Sequence, residues 1–90
     1  MSVRLEVTVV NRLGLHARAA AKFVTLASGF ASEIRIRRGA REVNGKSIMG
    51  VMMLAAGKGT KIELIASGDD EELAIERLEA LVQERFGEDE

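Results

Sequence analysis

Apolar and polar residues alternate in several short segments of this chain. Between these segments, the apolar residues have the spacing of a helix. A period of two is typical of strands that cover a core on one face. It occurs over residues 3–9, 33–38 and 61–66, and a shorter strand ending near Val43 is predicted after 33–38. The chain has no cysteine, so apolar packing must hold the fold without disulfides. We expect one domain over residues 1–88 and a frayed acidic tail at 89–90.

Three helices are predicted around these strands. The first covers residues 16–27, which are rich in alanine. A short apolar helix over 48–54 has Ser47 as its expected N-cap. The third begins with Asp69 and Glu72, which have the spacing of a capping box. The order β-α-β-β-α-β-α predicts an α+β fold in which helices cover one face of a mainly antiparallel sheet.

Charge and composition exclude several classes of function. The net charge of −1 argues against a nucleic-acid partner, which usually requires a basic excess. With three Phe and no Trp or Tyr, the chain also lacks the aromatic side chains on which bases stack. No apolar segment approaches the roughly 18 residues of a membrane span. We therefore expect a cytoplasmic protein that does not insert into a membrane.

The single histidine lies where a loop becomes a helix. The first backbone N–H groups of that helix, at Ala17 and Arg18, have no partner within it and can bind an anion such as phosphate. The guanidinium of Arg18 adds planar donors for phosphate oxygens. Both neighbours disfavour a charged imidazolium, so we expect a neutral, nucleophilic ring at His16. The pattern indicates a phosphoryl group bound covalently to His16.

The alternative is a surface or capping histidine, which is the commoner role of a lone histidine at a helix start. Its neighbours favour the functional interpretation. Gly14 gives the loop freedom, and small residues at 17, 19, 20 and 21 leave the helix end open to a protein partner. A metal site is not expected, because one histidine without a carboxylate cluster offers too few ligands.

Two stretches of the chain resemble the HPr family of histidine-containing phosphocarrier proteins of the bacterial phosphoenolpyruvate-dependent phosphotransferase system. NRLGLHAR at 11–18 resembles the active-site signature, and VNGKSIMGVM at 43–52 resembles a second, serine-centred signature. The resemblance implies strand order 1-4-2-3 with three helices on one side, an open-faced β-sandwich. It implies that His16 accepts a phosphoryl group on Nδ1 from enzyme I and passes it to an enzyme IIA domain, while Arg18 stabilises the group. Such a chain is a carrier rather than an enzyme, needs no cofactor and works as a monomer.

The second signature adds regulation and docking. Ser47 resembles the serine that HPr kinase/phosphorylase modifies in relatives, which implies that kinase and a transcriptional regulator as further partners. The apolar residues of a short helix cannot all face the core, because a helix buries one stripe. By resemblance to the family, the residues that face partners are Ile48, Met49 and Met52, and Ala21 of the first helix is added to them.

Two departures leave the biological pathway open. Most family members have proline where this chain has Ala19, and many have lysines where it has Thr25 and Ser28. These features suit a nitrogen-related relay as well as sugar uptake. A purely regulatory binding module acting through Ser47 and the methionine-rich helix over 48–54 is the alternative function, although the presence of His16 argues against it. An independent enzyme ranks last, because no general acid–base pair is evident.

Overall fold

Four strands and three helices follow one another in the predicted order. The computed structural model describes residues 2–90. The elements are β1 (Val3–Thr8), α1 (Ala17–Ser28), β2 (Glu33–Arg38), β3 (Arg41–Asn44), α2 (Ile48–Met53), β4 (Lys61–Ser67) and α3 (Glu71–Gln83), followed by a 3-10 turn (Arg85–Gly87). Each predicted strand and helix is present, with boundaries that move by one or two residues. The final turn was not predicted.

The sheet has the order β1-β4-β2-β3, and all three strand pairs are antiparallel. The expected fold class is therefore confirmed. Leu64 of β4 lies opposite Leu5 on one side and Ile36 on the other. Such alternating residues of the central strands face the helices and are fully buried. The other face is polar and carries ion pairs such as Arg35 with Glu42, at 2.7 Å.

The helical layer closes the core with one apolar stripe from each long helix. The buried residues of α1 are Ala19, Ala20, Phe23 and Ala27, and those of α3 are Ala74, Ile75, Leu78 and Val82. Alanines allow α1 to lie close to its neighbours, because they have no side chain beyond Cβ. Within residues 2–90, no helix has the length and apolar character needed to cross a bilayer.

The start of α3 differs from the prediction. Its N-cap is Asp70, whose side chain does not cap the helix, so the predicted capping box of Asp69 and Glu72 is wrong. The Asp70 carboxylate instead accepts the N–H of Ala31 at 2.8 Å and the N–H and hydroxyl of Ser32 at 2.9 and 2.5 Å. These bonds hold the pKa of Asp70 below its ordinary value, and the bond from the Ser32 hydroxyl has the largest effect. The carboxylate ties the loop before β2 to α3, a long-range role that local spacing does not reveal.

The acidic residues at 89–90, which are expected to form a frayed tail, contact the loop before α1. The backbone N–H of Arg12 donates to a backbone oxygen of Glu90 at 2.8 Å, and their side chains form an ion pair at 2.8 Å. The cause is Phe86, which is fully buried and anchors the chain immediately before the tail. The tail therefore lies against the loop that precedes α1.

Candidate functional site

His16 is the N-cap residue of α1, but its imidazole does not cap the helix. The backbone is extended, with φ −73° and ψ 179°, and the side chain makes no capping hydrogen bond. The first helical bond runs from the N–H of Ala20 to the His16 carbonyl, at 2.8 Å. The preceding N–H groups, including those of Ala17 and Arg18, have no carbonyl four residues before them within the helix. The ring is thus available for other contacts, beside donors suited to an anion.

The loop before His16 is clamped rather than free. The N–H of Leu15 donates to the carbonyl of Ala56 at 2.9 Å, and the Leu15 side chain is buried. Gly14 has φ +69°, and a Cβ at this position would lie 2.5 Å from the Ala56 carbonyl oxygen. The structure corrects the expectation that Gly14 gives the loop conformational freedom. The absence of a Cβ at Gly14 instead allows the backbone of the loop to approach the backbone at Ala56 closely. The Asn11 amide completes the clamp by donating to the Gly14 carbonyl at 2.8 Å.

A carboxylate lies against the imidazole, although none is near it in sequence. His16 Nε2 is 2.5 Å from Oε2 of Glu88, and Oε1 of Glu88 accepts from Asn11 Nδ2 at 3.0 Å. The Glu88 side chain is only 14% exposed and that of His16 29%. Two hydrogen bonds hold the pKa of Glu88 below its ordinary value. The bond from Asn11 has the largest effect, and the bond with His16 the second largest. The motif around His16 carries no signal for this partner, which is 72 residues away.

His16, Ala17 and Arg18 line one surface depression, together with Glu88 and its two neighbours at 89–90. The structure thus brings together the residues that the sequence associates with an anion. Arg18 is exposed, and its guanidinium makes no hydrogen bond or ion pair within residues 2–90. Arg12, in contrast, is already paired with Glu90. Over the same residues, no group of three His, Asp or Glu side chains could hold a metal ion.

The small residues around His16 divide between two roles. Ala17 is exposed, so it leaves the helix end open as expected. Ala19 and Ala20 are fully buried and belong to the core, which corrects the expectation for these two positions. Ala21 is half-buried and lines a separate groove between α1 and α3. The structure therefore does not bring Ala21 into the depression beside His16.

Helix α2 exposes most of its apolar residues. Met49 is 73% exposed, Ile48 44% and Met52 41%, whereas Val51 is fully buried. Met53, at 58% exposed, also faces outward, and family resemblance did not assign it there. A second depression brings Met52 together with His16, Leu13 and Leu15. Leu13 is 62% exposed and was missed, because nothing in its spacing distinguishes an exposed loop leucine from a buried one.

Ser47 begins α2 as predicted. Its hydroxyl oxygen accepts the backbone N–H of Gly50 at 3.1 Å, which confirms the N-cap. The residue is half-buried and directly precedes the exposed Ile48 and Met49. A substituent on this hydroxyl would therefore lie beside the exposed apolar residues of α2.

Comparison with known proteins identifies close relatives over nearly the whole chain. The family model described as the PTS HPr component phosphorylation site matches residues 3–84. Phosphocarrier protein HPr of Cupriavidus necator is 52% identical over 85 residues, covering 94% of this chain and 96% of that protein. The same-named protein of Pseudomonas aeruginosa is 52% identical over 87 residues, covering 96% and 97%. A crystal structure of HPr-C-His from Thermoanaerobacter tengcongensis has a TM-score of 0.94 at 44% identity and covers 98% of this chain and 99% of that one. A structure of an HPr dimer from that organism has a TM-score of 0.78 at 48% identity, covering 91% and 94%.

We expect Gly14→Ala to destabilise the fold and displace the His16 loop. The new Cβ would meet the Ala56 carbonyl oxygen, and overlap with backbone costs about 1–3 kcal/mol beyond the left-handed φ penalty. Gly39→Ala is the matched control, since Gly39 has φ +59° and no atom within 4 Å of a Cβ. Urea unfolding of both variants measures the difference. Equal losses of stability would contradict the close approach at Gly14.

Proposed function

Because the chain belongs to the PTS HPr family of phosphocarrier proteins, we propose that it carries a phosphoryl group on Nδ1 of His16. The donor is phosphorylated enzyme I, and the acceptor is a histidine of an enzyme IIA domain. One observation supports this assignment most directly. The imidazole is partly exposed, makes no capping hydrogen bond and lines the same depression as Ala17 and Arg18. Within residues 2–90, the Arg18 guanidinium has no hydrogen-bond or ion-pair partner.

In the proposed transfer, the lone pair of Nδ1 attacks the phosphorus of the donor phosphohistidine. A new N–P bond forms as the donor N–P bond breaks, and the electron pair of the broken bond returns to the donor nitrogen. The phosphoryl oxygens keep their negative charge throughout. The N–H groups of Ala17 and Arg18, together with the Arg18 guanidinium, are suited to hold these oxygens. The carrier thus stabilises the group without a cofactor.

Protein partners must reach His16 across a surface rather than through a deep pocket. We assign their docking surface to Ile48, Met49 and Met52, which are exposed on α2. Methionine side chains adapt to different shapes, so one surface of this kind can serve several partners. Ala21 lies in another groove and would contribute only to a wider footprint.

The proposed carrier acts in the cytoplasm, in a sugar-uptake or nitrogen-related relay, and exchanges its partners as a monomer. A monomer suits this role because an interface between copies would compete for the docking surface. Either relay is compatible with Ala19, since this residue is buried in the core rather than exposed to a partner.

Incubation with phosphoenolpyruvate, Mg²⁺ and enzyme I should add one phosphoryl group to the chain. Intact mass measures this addition, and brief acid treatment should remove it, because a phosphohistidine is acid-labile. His16→Ala should show no adduct. An acid-stable adduct, or an adduct that persists in His16→Ala, would exclude the proposed site.

Met49→Glu should weaken docking of enzyme I by about five- to 150-fold, because a charge placed in an apolar contact costs on the order of 1–3 kcal/mol. Met49 is 73% exposed, so folding should be unaffected. Leu73→Glu is the matched control, with an exposed apolar residue on α3. Transfer rates measured against enzyme I concentration separate the two variants. An equal effect of both would remove α2 from the docking surface.

Ser47 is proposed as a regulatory phosphorylation site for an HPr kinase/phosphorylase, through which a transcriptional regulator could be recruited. Phosphorylation would set a charge beside Ile48 and Met49 and so oppose enzyme I docking. A kinase of this type with ATP should add one acid-stable phosphate to the wild type and to Ser28→Ala, but none to Ser47→Ala. Ser47→Asp, which keeps an N-capping oxygen and adds a charge, should slow transfer from enzyme I. Labelling of Ser47→Ala, or an unchanged rate in Ser47→Asp, would contradict this role.

A further inference from the structure

The proposed reaction needs a lone pair on Nδ1, and the neighbour of Nε2 determines whether that lone pair is present. We propose that Glu88 is a positioning residue, whose carboxylate holds the ring proton on Nε2 and thereby leaves Nδ1 as the nucleophile. Its effect on transfer rests on the proposed carrier function. Its effect on the ring is a property of the unphosphorylated protein and can be measured separately.

The atoms at the contact require this tautomer. Oε2 of Glu88 is 2.5 Å from Nε2 of His16. An ionised carboxylate can only accept hydrogen bonds, so the hydrogen between the two atoms belongs to Nε2. A neutral imidazole has a single N–H, and the lone pair then remains on Nδ1.

A buried amide holds the carboxylate in place. Asn11 is fully buried, and its Nδ2 donates both to Oε1 of Glu88 at 3.0 Å and to the Gly14 carbonyl at 2.8 Å. The reverse orientation of the amide would turn its oxygen toward two acceptors, so these contacts determine which way the amide points. Asn11 therefore joins Glu88 to the same loop that positions His16.

The chain path to Glu88 uses backbone conformations that most residues avoid. Arg85 and Phe86 have φ of +60° and +55°, and Gly87 has φ +78°. Such conformations persist in non-glycine residues only where the surroundings enforce them. Here Phe86 is fully buried and its carbonyl accepts from Lys22 Nζ at 2.6 Å. The left-handed turn directs the chain back toward α1 and delivers Glu88 to the imidazole.

The carboxylate also suits the phosphorylated ring. When Nδ1 forms the N–P bond, the proton stays on Nε2 and the ring gains a positive charge. Glu88 then faces a cation, while the phosphoryl oxygens are on the opposite nitrogen beside Arg18. No proton needs to leave the ring during transfer, so Glu88 acts by orientation and charge rather than as a general base.

The test replaces Glu88 with an isosteric amide. In Glu88→Gln, the amide of Asn11 still needs an acceptor, so the new side chain should turn its oxygen to Asn11 and its NH₂ to Nε2 of His16. Nε2 must then accept a hydrogen bond, and the ring proton should move to Nδ1. Glu84→Gln is the matched control, because it makes the same change of side chain at an exposed residue of the same terminal segment that does not line the depression. Glu88→Ala offers neither donor nor acceptor and should give a mixture of tautomers.

Two measurements are made on each variant. Ring ¹⁵N chemical shifts at pH 8.5, about two units above the usual pKa of histidine, report the tautomer of the neutral ring without any partner protein. Rapid-quench phosphorylation by enzyme I reports transfer. We expect the Nε2–H form in the wild type and in Glu84→Gln, and the Nδ1–H form in Glu88→Gln. The transfer rate of Glu88→Gln should fall by at least about tenfold, with Glu88→Ala between it and the wild type.

The outcomes separate the inference from the proposed function. An Nε2–H ring in Glu88→Gln would overturn the positioning role, and so would a reversed ring with an unchanged transfer rate. An equal loss of rate in Glu84→Gln would also overturn it, because the loss of one negative charge from the terminal segment would then be enough to explain the effect. If the wild type is not phosphorylated at all, the carrier function fails and the role in transfer falls with it, while the ¹⁵N shifts still decide whether Glu88 sets the tautomer.

Discussion

The close backbone approach between the loop before α1 and the segment after α2 is the contact on which the site depends. The Leu15 N–H donates to the Ala56 carbonyl at 2.9 Å, and Gly14 lies where a Cβ would be 2.5 Å from the same oxygen. This contact joins the imidazole of His16 to the exposed end of α2, including Met52. A protein bound at the exposed end of α2 would therefore meet the imidazole at a defined position, because both belong to one packed unit.

The depression that His16 lines contains groups of opposite charge. The start of α1 and the guanidinium of Arg18 offer hydrogen-bond donors and positive charge, which suit an anion. Glu88 supplies an acceptor and negative charge at Nε2. From the sequence, only the positive neighbours of His16 are evident. The negative neighbour changes the interpretation of the site, since a carboxylate that contacts Nε2 can orient the ring.

Local sequence patterns predict most of the fold, whereas contacts between residues far apart in the sequence were not predicted. Alternation identifies β1, β2 and β4, and the spacing before α2 identifies Ser47 as an N-cap, because these features depend on neighbouring residues. The prediction for His16 and Arg18 rests on a local pattern of the same kind. The bond between Glu88 and His16 spans 72 positions, and Asp70 reaches Ser32 across 38. Such pairs follow from how α3 and its final turn pack on the sheet, so no local spacing could have located them.

The departure from the family at Ala19 is explained by where the rigidity of the site originates. Proline in the first turn of a helix fixes one φ angle and would stiffen the entry into α1. In this chain, stiffness comes from contacts outside the helix, namely the Gly14 clamp and the buried Asn11 amide that holds both the loop and the tail. Ala19 is fully buried in the core and takes part in packing. A loop held from both sides does not need a proline to keep His16 in place, so the position of His16 can be fixed while its ring stays partly exposed.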